Sequence, residues 1–305
     1  MNILDTTFDF EERFVAFIDI LGFKELIFNL EKGNKEELKK IKSILNFMNE
    51  ETIESRYDVD LPIYEINDNG LIEKELGNPR MLYVSDCMVI SADPTLDGFK
   101  ILSNKIHKII SDLAVDGYFC RGAITKGSLF HHGNILFGSA YMRAYQLEPE
   151  AIYPRIIIDP NILHFFDLTD DKVPLAPIFY GKDNDGFYYL KYFTIRFFPP
   201  YLSDWTQYLL IVKNHIVSNL HKNYKSYLDS GKADIQKKIY LKYQWLAKEF
   251  NRNIDFYDTY FSQVSNSEQE YYQNLQANLI KEFGDKIPTY NYETRKLEKI
   301  IYEEL

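Results

Sequence analysis

The sequence predicts an α+β fold, in which a β-sheet carries helices on one face and a helical region follows. Two observations support this prediction. Over residues 13–160, short apolar segments rich in β-branched and aromatic residues alternate with segments whose apolar residues recur every three or four positions. Beyond about residue 200, nearly all of the chain shows the helical pattern. We therefore expect one region over residues 1–165 and a strand-then-helical region over 166–305 packed on it.

The first predicted elements are a strand and a helix. Residues 14–18 are apolar without interruption, which is typical of a buried central strand. Residues 24–30 predict a helix, and a second helix is predicted near residues 35–54. The polar, turn-rich residues 55–79 predict no regular element.

A β-hairpin is predicted next. The apolar runs 81–84 and 88–91 are separated by three residues with Asp86 in the middle, which places an acid near the hairpin tip. Apolar residues at helical spacing over 99–113 then predict a helix. We expect this helix to end near Gly117. The elements that follow are a strand over 118–125, a short strand, a helix over 140–148 and a strand over 155–158.

The region beyond residue 200 predicts amphipathic helices. Two apolar stripes at helical spacing indicate two helices, and residues 271–283 and 292–305 predict two more. The first stripe consists of Leu209, Val212, Ile216 and Leu220, and the second of Ile235, Ile239, Leu246 and Phe250.

Composition and charge exclude several classes of function. The 45 acidic against 35 basic residues give a formal charge of −10, which argues against bulk binding to a nucleic-acid backbone. Cys87 and Cys120 are too few for a disulfide framework or a thiolate zinc site, and we expect buried thiols in a reducing compartment. The sequence shows neither a signal peptide nor an apolar run of about 18 residues. We therefore expect a soluble, cytoplasmic protein with no membrane partner.

Asp19 is the first candidate for chemistry. It follows the apolar run, so it stands near the end of a buried strand, where ligand sites of layered folds occur. A carboxylate there needs a cation or strong donors. The amides of Leu21, Gly22 and Phe23 open the next helix, and helix N-termini favour phosphate. The alternative is that Asp19 only caps this helix, which from Asp19 alone is the more probable interpretation.

Asp86 strengthens the functional interpretation. If the hairpin lies beside the Asp19 strand, two carboxylates converge from neighbouring strands, and such oxygen ligands suit Mg²⁺ or Mn²⁺. The alternative is that Ser85 and Asp86 form only a turn, since turns favour both residue types.

Other phosphate-binding and catalytic motifs are missing from the sequence. It contains no Gly-x-x-x-x-Gly-Lys-Ser/Thr loop, no Gly-x-Gly-x-x-Gly fingerprint and no Gly-x-Ser-x-Gly elbow. His131 and His132 are adjacent, so on an extended segment they point to opposite faces and rarely share one zinc ion. We expect them in a surface loop.

Four segments together resemble the class III nucleotidyl cyclases. Residues 17–23 (FIDILGF) look like the first metal motif of that family, and residues 85–91 (SDCMVIS) like its second metal-binding hairpin. Residues 121–127 (RGAITKG) are similar to the following core strand, and residues 138–148 (GSAYMRAYQLE) to the late active-site helix. The resemblance implies a class III cyclase-like sheet with a ferredoxin-like core, and it makes residues 1–165 the catalytic domain.

Within that family, the RGAIT strand and the Ala-Tyr-x-Leu-Glu helix end look most like the bacterial pyrimidine cyclases of the Pycsar anti-phage system. Residues 242–247 (KYQWLA) and Asn251 also resemble the helical C-terminal portion of those enzymes. The resemblance implies a homodimer with sites at its interface, making cyclic UMP or cyclic CMP as an alarm signal for a separate effector. It favours UTP as substrate, with CTP as the alternative.

The sequence departs from the purine cyclases at three positions. Those enzymes carry an Asn and, four residues later, an Arg on the late helix, whereas Met142 and Gln146 stand there in this chain. Leu82 stands where they place a base-reading Lys. These departures argue against a purine substrate.

The cation that stabilises the transition-state charge must therefore come from elsewhere. The candidates are Arg121, Lys126 and Arg143, of which Arg143 is equally compatible with a solvated helix face. Tyr83 is a candidate for contacting the base, although an aromatic residue in a strand is more often part of a core.

The resemblance implies a two-metal mechanism. Asp19, Asp86 and the carbonyl of Ile20 would hold two divalent cations, Mn²⁺ or Mg²⁺. One cation would activate the ribose 3′-hydroxyl, and the other would neutralise charge on the departing pyrophosphate. The amides of residues 21–23 would hold the triphosphate.

Four alternatives stay open at this point. The chain could be a catalytically silent, cyclase-like nucleotide sensor, because the usual Asn and Arg are missing. It could be an adenylate- or guanylate-type cyclase, or another enzyme on a related palm-like sheet that joins two nucleotides. It could also be an interaction protein that uses its aromatic helical half.

Overall fold

The chain divides into two compact units, Met1–Tyr192 and Phe193–Leu305, which are described here separately. The structure, a computed structural model, describes residues 9–35, 38–39, 41–42, 64–66, 72–166, 179–194, 205–229, 233–263 and 298–304.

The described strands number ten. In chain order they are β1 (Glu11–Ile20), β2 (Tyr64–Ile66), β3 (Ile72–Glu75), β4 (Arg80–Val84), β5 (Cys87–Ala92), β6 (Cys120–His132), β7 (Ile135–Phe137), β8 (Ile156–Ile158), β9 (Tyr180–Lys182) and β10 (Tyr188–Leu190).

Eight of these strands form one mixed sheet in the first unit. Their order is β4-β5-β1-β6-β8-β10-β9, and β7 pairs with β6. β6 and β8 run parallel, whereas the other described pairs are antiparallel. β2 and β3 form a separate two-stranded sheet within the segment for which the sequence predicts no regular element. The α+β prediction is confirmed at this level.

The first unit also contains three described α-helices, α1 (Phe23–Glu31), α2 (Leu96–Val115) and α3 (Ser139–Leu147), and 3₁₀ segments at Glu148–Ala151 and Pro160–Phe166. These helices and the strands around them confirm the predicted order over residues 80–158. The helix predicted near residues 35–54 lies largely outside the described residues.

The helices lie on both faces of the sheet, so the prediction that they cover one face is wrong. On one face, Phe14 of β1 packs edge-on against Phe99 of α2, with ring centroids 5.2 Å apart. On the other, Val15 and Phe17 pack in a core cluster with Ala140 of α3. Residues 14–18 are all apolar in the sequence and all buried in the structure. A strand that is apolar on both faces has to be packed against other elements on both faces.

The boundary between the units lies at residues 192/193 and not at 165. β10 pairs with β8, and β9 pairs with β10, so residues 180–190 extend the sheet of the first unit. The Tyr192 hydroxyl donates to the Cys120 carbonyl at 2.8 Å, which fixes the end of this extension to β6.

The second unit is helical, as predicted. It contains α4 (Trp205–Asp229) and α5 (Ala233–Gln263). The first predicted apolar stripe, over residues 209–220, is buried. In the second stripe Leu246 and Phe250 are buried, but Ile235 is exposed and Ile239 is half-buried, whereas the neighbouring Tyr240 is buried.

Two further helix predictions concern the end of the chain. Residues 271–283 lie outside the described residues. Of residues 292–305, the described part, 298–304, has no regular secondary structure, so the helix predicted there is wrong for this part. None of the helices that the structure describes combines the length and the apolar character needed to cross a lipid bilayer.

His131 and His132 lie in β6, so their prediction as a surface loop is wrong. His131 is buried, and its Nδ1 lies 2.8 Å from the Ser91 hydroxyl, whereas His132 is exposed. The pair faces opposite sides of a strand, which agrees with the prediction that these residues do not share one ion.

We predict that Gly122→Ala strongly destabilises the first unit and Gly127→Ala does not. A Cβ on Gly122 would overlap the Phe17 carbonyl oxygen and lie 3.0 Å from the Ile18 Cα, so β1 and β6 would have to separate. On Gly127 it would meet nothing closer than Ala140 Cβ at 3.5 Å. In denaturant unfolding, we expect Gly122→Ala to lower the free energy of unfolding by about 3 kcal/mol or more, and Gly127→Ala to lower it by less than about 1 kcal/mol. Equal losses would contradict this account of the strand packing.

Candidate metal site

Asp19 and Asp86 converge at the end of the central strand. In the register of β1 and β5, Asp19 is opposite Cys87, and Asp86 precedes Cys87 in the hairpin turn. The Ile20 N–H donates a hydrogen bond of 3.0 Å to the Asp86 carbonyl, which ties the hairpin tip to β1. One potential ligand atom from each of Asp19, Asp86 and Cys87 lies within 4.8 Å of the others. The two carboxylates therefore meet, while their role as metal ligands stays a prediction.

The hairpin tip is a tight turn with an unusual residue. Val84 pairs with Cys87, so Ser85 and Asp86 alone connect the two strands. Such two-residue turns require positive φ, which is normally supplied by Gly or Asn. Ser85 adopts φ 59° instead, at a cost in backbone energy. The turn thus presents Asp86 at a fixed position beside β1.

Cys87 brings a sulfur atom to the two carboxylates. Its Sγ lies 3.6 Å from Asp19 Oδ1 and 3.9 Å from Asp86 Oδ1. Zinc–sulfur and zinc–oxygen bonds of about 2.3 and 2.1 Å at a tetrahedral angle would place the two ligand atoms about 3.6 Å apart. The three side chains thus have a spacing at which they could share one small divalent cation. Cys87 is half-buried rather than fully buried as predicted, whereas Cys120 is buried.

Arg121 and Glu148 border the carboxylates. Arg121 is opposite Asp19 in the register of β1 and β6, and its guanidinium forms an ion pair with Glu148, which is 6% exposed. Three carboxyl groups, those of Asp19, Asp86 and Glu148, thus face one guanidinium, and this excess of negative charge favours a cation.

Glu148 was missed as a site residue by the sequence analysis. It ends the segment GSAYMRAYQLE, but an acid just after a helix gives no sign of burial. Its position next to the site depends on the 3₁₀ segment that follows α3 and on its pairing with Arg121.

Burial disfavours the charged forms of Asp19 and Cys87. Burial raises the pKa of Asp19 to about 6, and the carboxylates of Glu148 and Asp86 add to the rise. Burial also raises the pKa of the Cys87 thiol to about 12, with further contributions from Asp19 and Asp86. A divalent cation would reverse both effects, because it stabilises carboxylates and displaces thiol protons.

Helix α1 begins four residues after Asp19. Gly22 is its N-cap with φ +85°, and no side chain makes a capping hydrogen bond, so the alternative that Asp19 caps this helix is wrong. The first N–H groups of a helix generally lack partners within it, although the Glu25 N–H here already donates to the Gly22 carbonyl at 3.0 Å. The Leu21 N–H, however, donates to the Phe119 carbonyl at 2.9 Å, so Leu21 cannot contribute to the predicted phosphate cradle. Gly22 and Phe23 stay candidates.

Tyr83 does not reach the carboxylates of its own chain. It is opposite Met88, which is opposite Ile18, so by strand alternation these side chains share the sheet face away from Asp19. Within one chain, Tyr83 therefore lies on the face away from the carboxylates, and its contact with a base stays a prediction. Leu82 lies on the face of the carboxylates, because it is opposite Val89.

Arg143 belongs to a different cluster. Its Nε and Nη2 donate to the two carboxylate oxygens of Asp159 at 2.9 and 3.1 Å, and the Thr125 hydroxyl donates to the same carboxylate at 2.8 Å. These residues line a cleft of about 240 Å³ together with Lys126. Lys126 also pairs with Glu12 at 2.8 Å. The structure therefore does not bring Arg143 or Lys126 to the Asp19 cluster. Among the described residues, Arg121 is the cationic residue that lies opposite Asp19 on the neighbouring strand.

Comparison with protein-family models finds no match to this chain, and comparison with curated proteins finds no similar sequence. A functional assignment therefore depends on the geometry of the site.

We predict that Asp19→Asn stabilises the metal-free protein at neutral pH. Asp19 binds a proton more readily in the folded than in the unfolded state, so its contribution to folding stability falls as the pH rises from about 4 through 6. Allowing for solvent screening, the expected gain in the free energy of unfolding is about 1–2 kcal/mol at about pH 7.5. The gain should become smaller at about pH 4, because Asp19 is then largely protonated in the folded protein.

The measurement is denaturant unfolding with a chelator at both pH values. Asp97→Asn is the control, because Asp97 is exposed and pairs with Lys100 at 3.4 Å, away from the cluster. A loss of stability on Asp19→Asn at neutral pH would show that the site does not penalise the carboxylate.

We predict that Co²⁺ bound to the protein shows a thiolate-to-metal charge-transfer band. The Cys87 Sγ lies 3.6 Å and 3.9 Å from the Asp19 and Asp86 carboxylate oxygens, so one ion could bind all three groups. Cys87→Ala should abolish the band, and Cys120→Ala should preserve it, since Cys120 is a buried thiol outside the cluster. Absorption titration at neutral pH measures both. A band that survives Cys87→Ala would remove this residue from the ligand set.

Proposed function

We propose that the protein is a nucleotidyl cyclase of the class III type, which converts a pyrimidine nucleoside triphosphate to the 3′,5′-cyclic monophosphate and pyrophosphate. The observation that carries the proposal is the convergence of the Asp19 and Asp86 carboxylates, with Asp19 four residues before the start of α1. A pair of carboxylates beside a helix N-terminus is the arrangement that a complex of metal and triphosphate requires.

Asp19 and Asp86 would hold the divalent cations in this proposal, with the Ile20 carbonyl as a further oxygen ligand. The softer sulfur of Cys87 suits a thiophilic ion such as Zn²⁺ or Co²⁺ and not Mg²⁺. The cations, Mn²⁺ or Mg²⁺, would supply activation of the ribose 3′-hydroxyl and would neutralise charge on the pyrophosphate. Since nucleophile and phosphorus belong to the same nucleotide, the protein mainly has to position them.

The N-terminus of α1 binds the triphosphate. The amides of Gly22 and Phe23 are the donors, and the helix dipole favours the negative charge. Gly22 suits this role because its φ of +85° turns the chain from β1 into the helix, and a side chain there would be strained.

Arg121 is the proposed charge-stabilising group. Its ion pair with Glu148 holds the guanidinium on the sheet face that carries Asp19. Binding of a triphosphate offers Arg121 a second anionic partner, and Glu148 then acts as the positioning residue that keeps its side chain in place.

A pyrimidine is the proposed base, with UTP the first substrate to test and CTP the second. Leu82 lies on the carboxylate face and offers no hydrogen-bond donor to a purine. Met142 and Gln146 are exposed on α3 and cannot reproduce the charge of an arginine.

The proposal includes a homodimer, with the sites at its interface. Three apolar or aromatic side chains near the hairpin tip and on α3 are exposed, namely Val84 at 60%, Met142 at 51% and Tyr145 at 53%. Tyr145 packs edge-on against Phe17, with ring centroids 5.3 Å apart, so it is held in place on the carboxylate face. A second copy would cover this surface. The cyclic nucleotide would then act on a separate effector as an anti-phage signal.

We predict that purified protein with Mn²⁺ converts UTP, or CTP, to a cyclic mononucleotide. Asp19→Ala and Asp86→Ala should each reduce turnover by at least about 10³-fold, because each removes a metal ligand. Mass spectrometry of the product and pyrophosphate release measure the reaction with each of the four nucleoside triphosphates.

Asp97→Ala is the matched control, since Asp97 is an exposed acid remote from the cluster, and circular dichroism confirms folding of every variant. A linear dinucleotide product would indicate a polymerase-like enzyme, and metal-dependent binding without turnover would indicate a nucleotide sensor. Full turnover after loss of either acid would contradict the mechanism.

A further inference from the structure

Two tyrosines of α3 lie on the sheet face that carries the carboxylates. Tyr141 and Tyr145 are four residues apart, so they share one side of the helix. Ala140 and Ala144, which precede them, are buried in the core cluster on this face, and their small side chains let the helix lie close to the sheet. The two tyrosine rings therefore stand at the edge of the contact between helix and sheet.

Phe17 of β1 supports both tyrosine rings. Its ring centroid lies 6.1 Å from that of Tyr141 and 5.3 Å from that of Tyr145, and both contacts are edge-on. Phe17 is itself buried, so the base of this aromatic group is closely packed. Rings that are already held in place lose little conformational freedom when a flat ligand binds to them.

The tyrosines adjoin the candidate metal site. Phe17 stands two residues before Asp19 on β1, so the two side chains project from the same face of the sheet about 7 Å apart. Tyr141 packs against the same apolar cluster as Cys87. Burial raises the pKa of Tyr141, and Cys87 and Tyr145 add to the rise, which agrees with a position of the Tyr141 ring beside Cys87.

Both rings are accessible to a ligand. The Tyr145 side chain is 53% exposed, and Tyr141 is half-buried. A flat apolar surface beside a site for metal and phosphate suits the flat part of the same ligand, which in a nucleotide is the base. The ribose between a base and its phosphates spans a distance comparable with that from Phe17 to Asp19. Since the proposed sites lie at a dimer interface, a base and a second copy can border the same ring.

We propose that Tyr145 and Tyr141 form the surface on which the base of the nucleotide stacks. This inference rests on the proposed function, because it takes a nucleoside triphosphate as the ligand of the metal site. It gives the base a contact within the chain that supplies the carboxylates, whereas Tyr83 lies on the opposite face of that chain. Stacking on an aromatic ring tolerates every base, so the selection of a pyrimidine has to come from other groups.

The test compares two ligands that differ only in the base and in the bridge between two phosphates. One is a uridine triphosphate analogue with a methylene group between its α- and β-phosphates, and the other is ribose triphosphate, which has no base. Isothermal titration calorimetry with Mn²⁺ measures the affinity of the full chain for each ligand.

Tyr145→Ala and Tyr141→Leu should each weaken binding of the uridine ligand at least about fivefold, because each removes a stacking ring. Leucine replaces the half-buried Tyr141 so that apolar packing against the core cluster is kept. Neither variant should change the affinity for ribose triphosphate by more than about twofold, since this ligand makes no stacking contact.

Two kinds of control accompany these variants. Tyr145→Phe and Tyr141→Phe keep the rings, so they should bind the uridine ligand as the wild type does. Tyr188→Ala should leave both affinities unchanged, since Tyr188 is a half-buried tyrosine of β10, three strands away from β1 in the sheet. Circular dichroism confirms that each variant is folded.

Unchanged binding of the uridine ligand by the Tyr145→Ala and Tyr141→Leu variants would overturn the proposal. An equal loss of affinity for both ligands would also overturn it, because that result indicates a structural role of the tyrosines. A wild-type chain that binds neither ligand would overturn both this inference and the proposed function.

Turnover of UTP, measured on the same proteins, separates the inference from the proposed function. A wild-type chain without turnover, whose uridine binding depends on the two tyrosines, would support the stacking surface and contradict the cyclase. Turnover in the wild type together with unchanged affinities in the tyrosine variants would overturn the stacking surface and leave the cyclase in place.

Discussion

The site depends on holding two carboxylates together where water does not fully solvate them. Asp19 is the penultimate residue of a strand that is buried over residues 13–18, and the Ile20–Asp86 hydrogen bond fixes the second carboxylate beside it. Burial and neighbouring negative charges raise the pKa of Asp19 to about 6. The charged carboxylate therefore destabilises the folded protein at neutral pH, so folding stability does not explain why an acid stands here. A divalent cation would convert this unfavourable arrangement into a favourable one, and the proposed chemistry needs the same cation.

The sequence predicts this part of the structure well because local signals determine it. An uninterrupted apolar run followed by an acid, and two apolar runs around a short polar turn, indicate adjoining strands with acids at their ends. The prediction of one helical face failed because it did not use the burial of every residue from 14 to 18, which requires cover on both faces.

Roles that depend on distant partners could not be predicted. Arg143 bonds to Asp159, which is 16 residues away in sequence and buried, and nothing in a single sequence joins the two. The face on which Tyr83 lies also needed the register, since strand alternation from Asp19 through Cys87 places Tyr83 on the opposite face of its own chain. Glu148 likewise becomes evident as a site residue only when the folded chain brings it to Arg121.

The central claim is that Asp19 and Asp86 jointly bind a divalent cation. The most direct measurement is a crystal structure with Mn²⁺ and a non-hydrolysable pyrimidine triphosphate, with the metal located by its anomalous scattering. The account predicts an anomalous peak within bonding distance of a carboxylate oxygen of each residue. A fully ordered nucleotide with no peak between these carboxylates, or with the metal bound elsewhere, would contradict it.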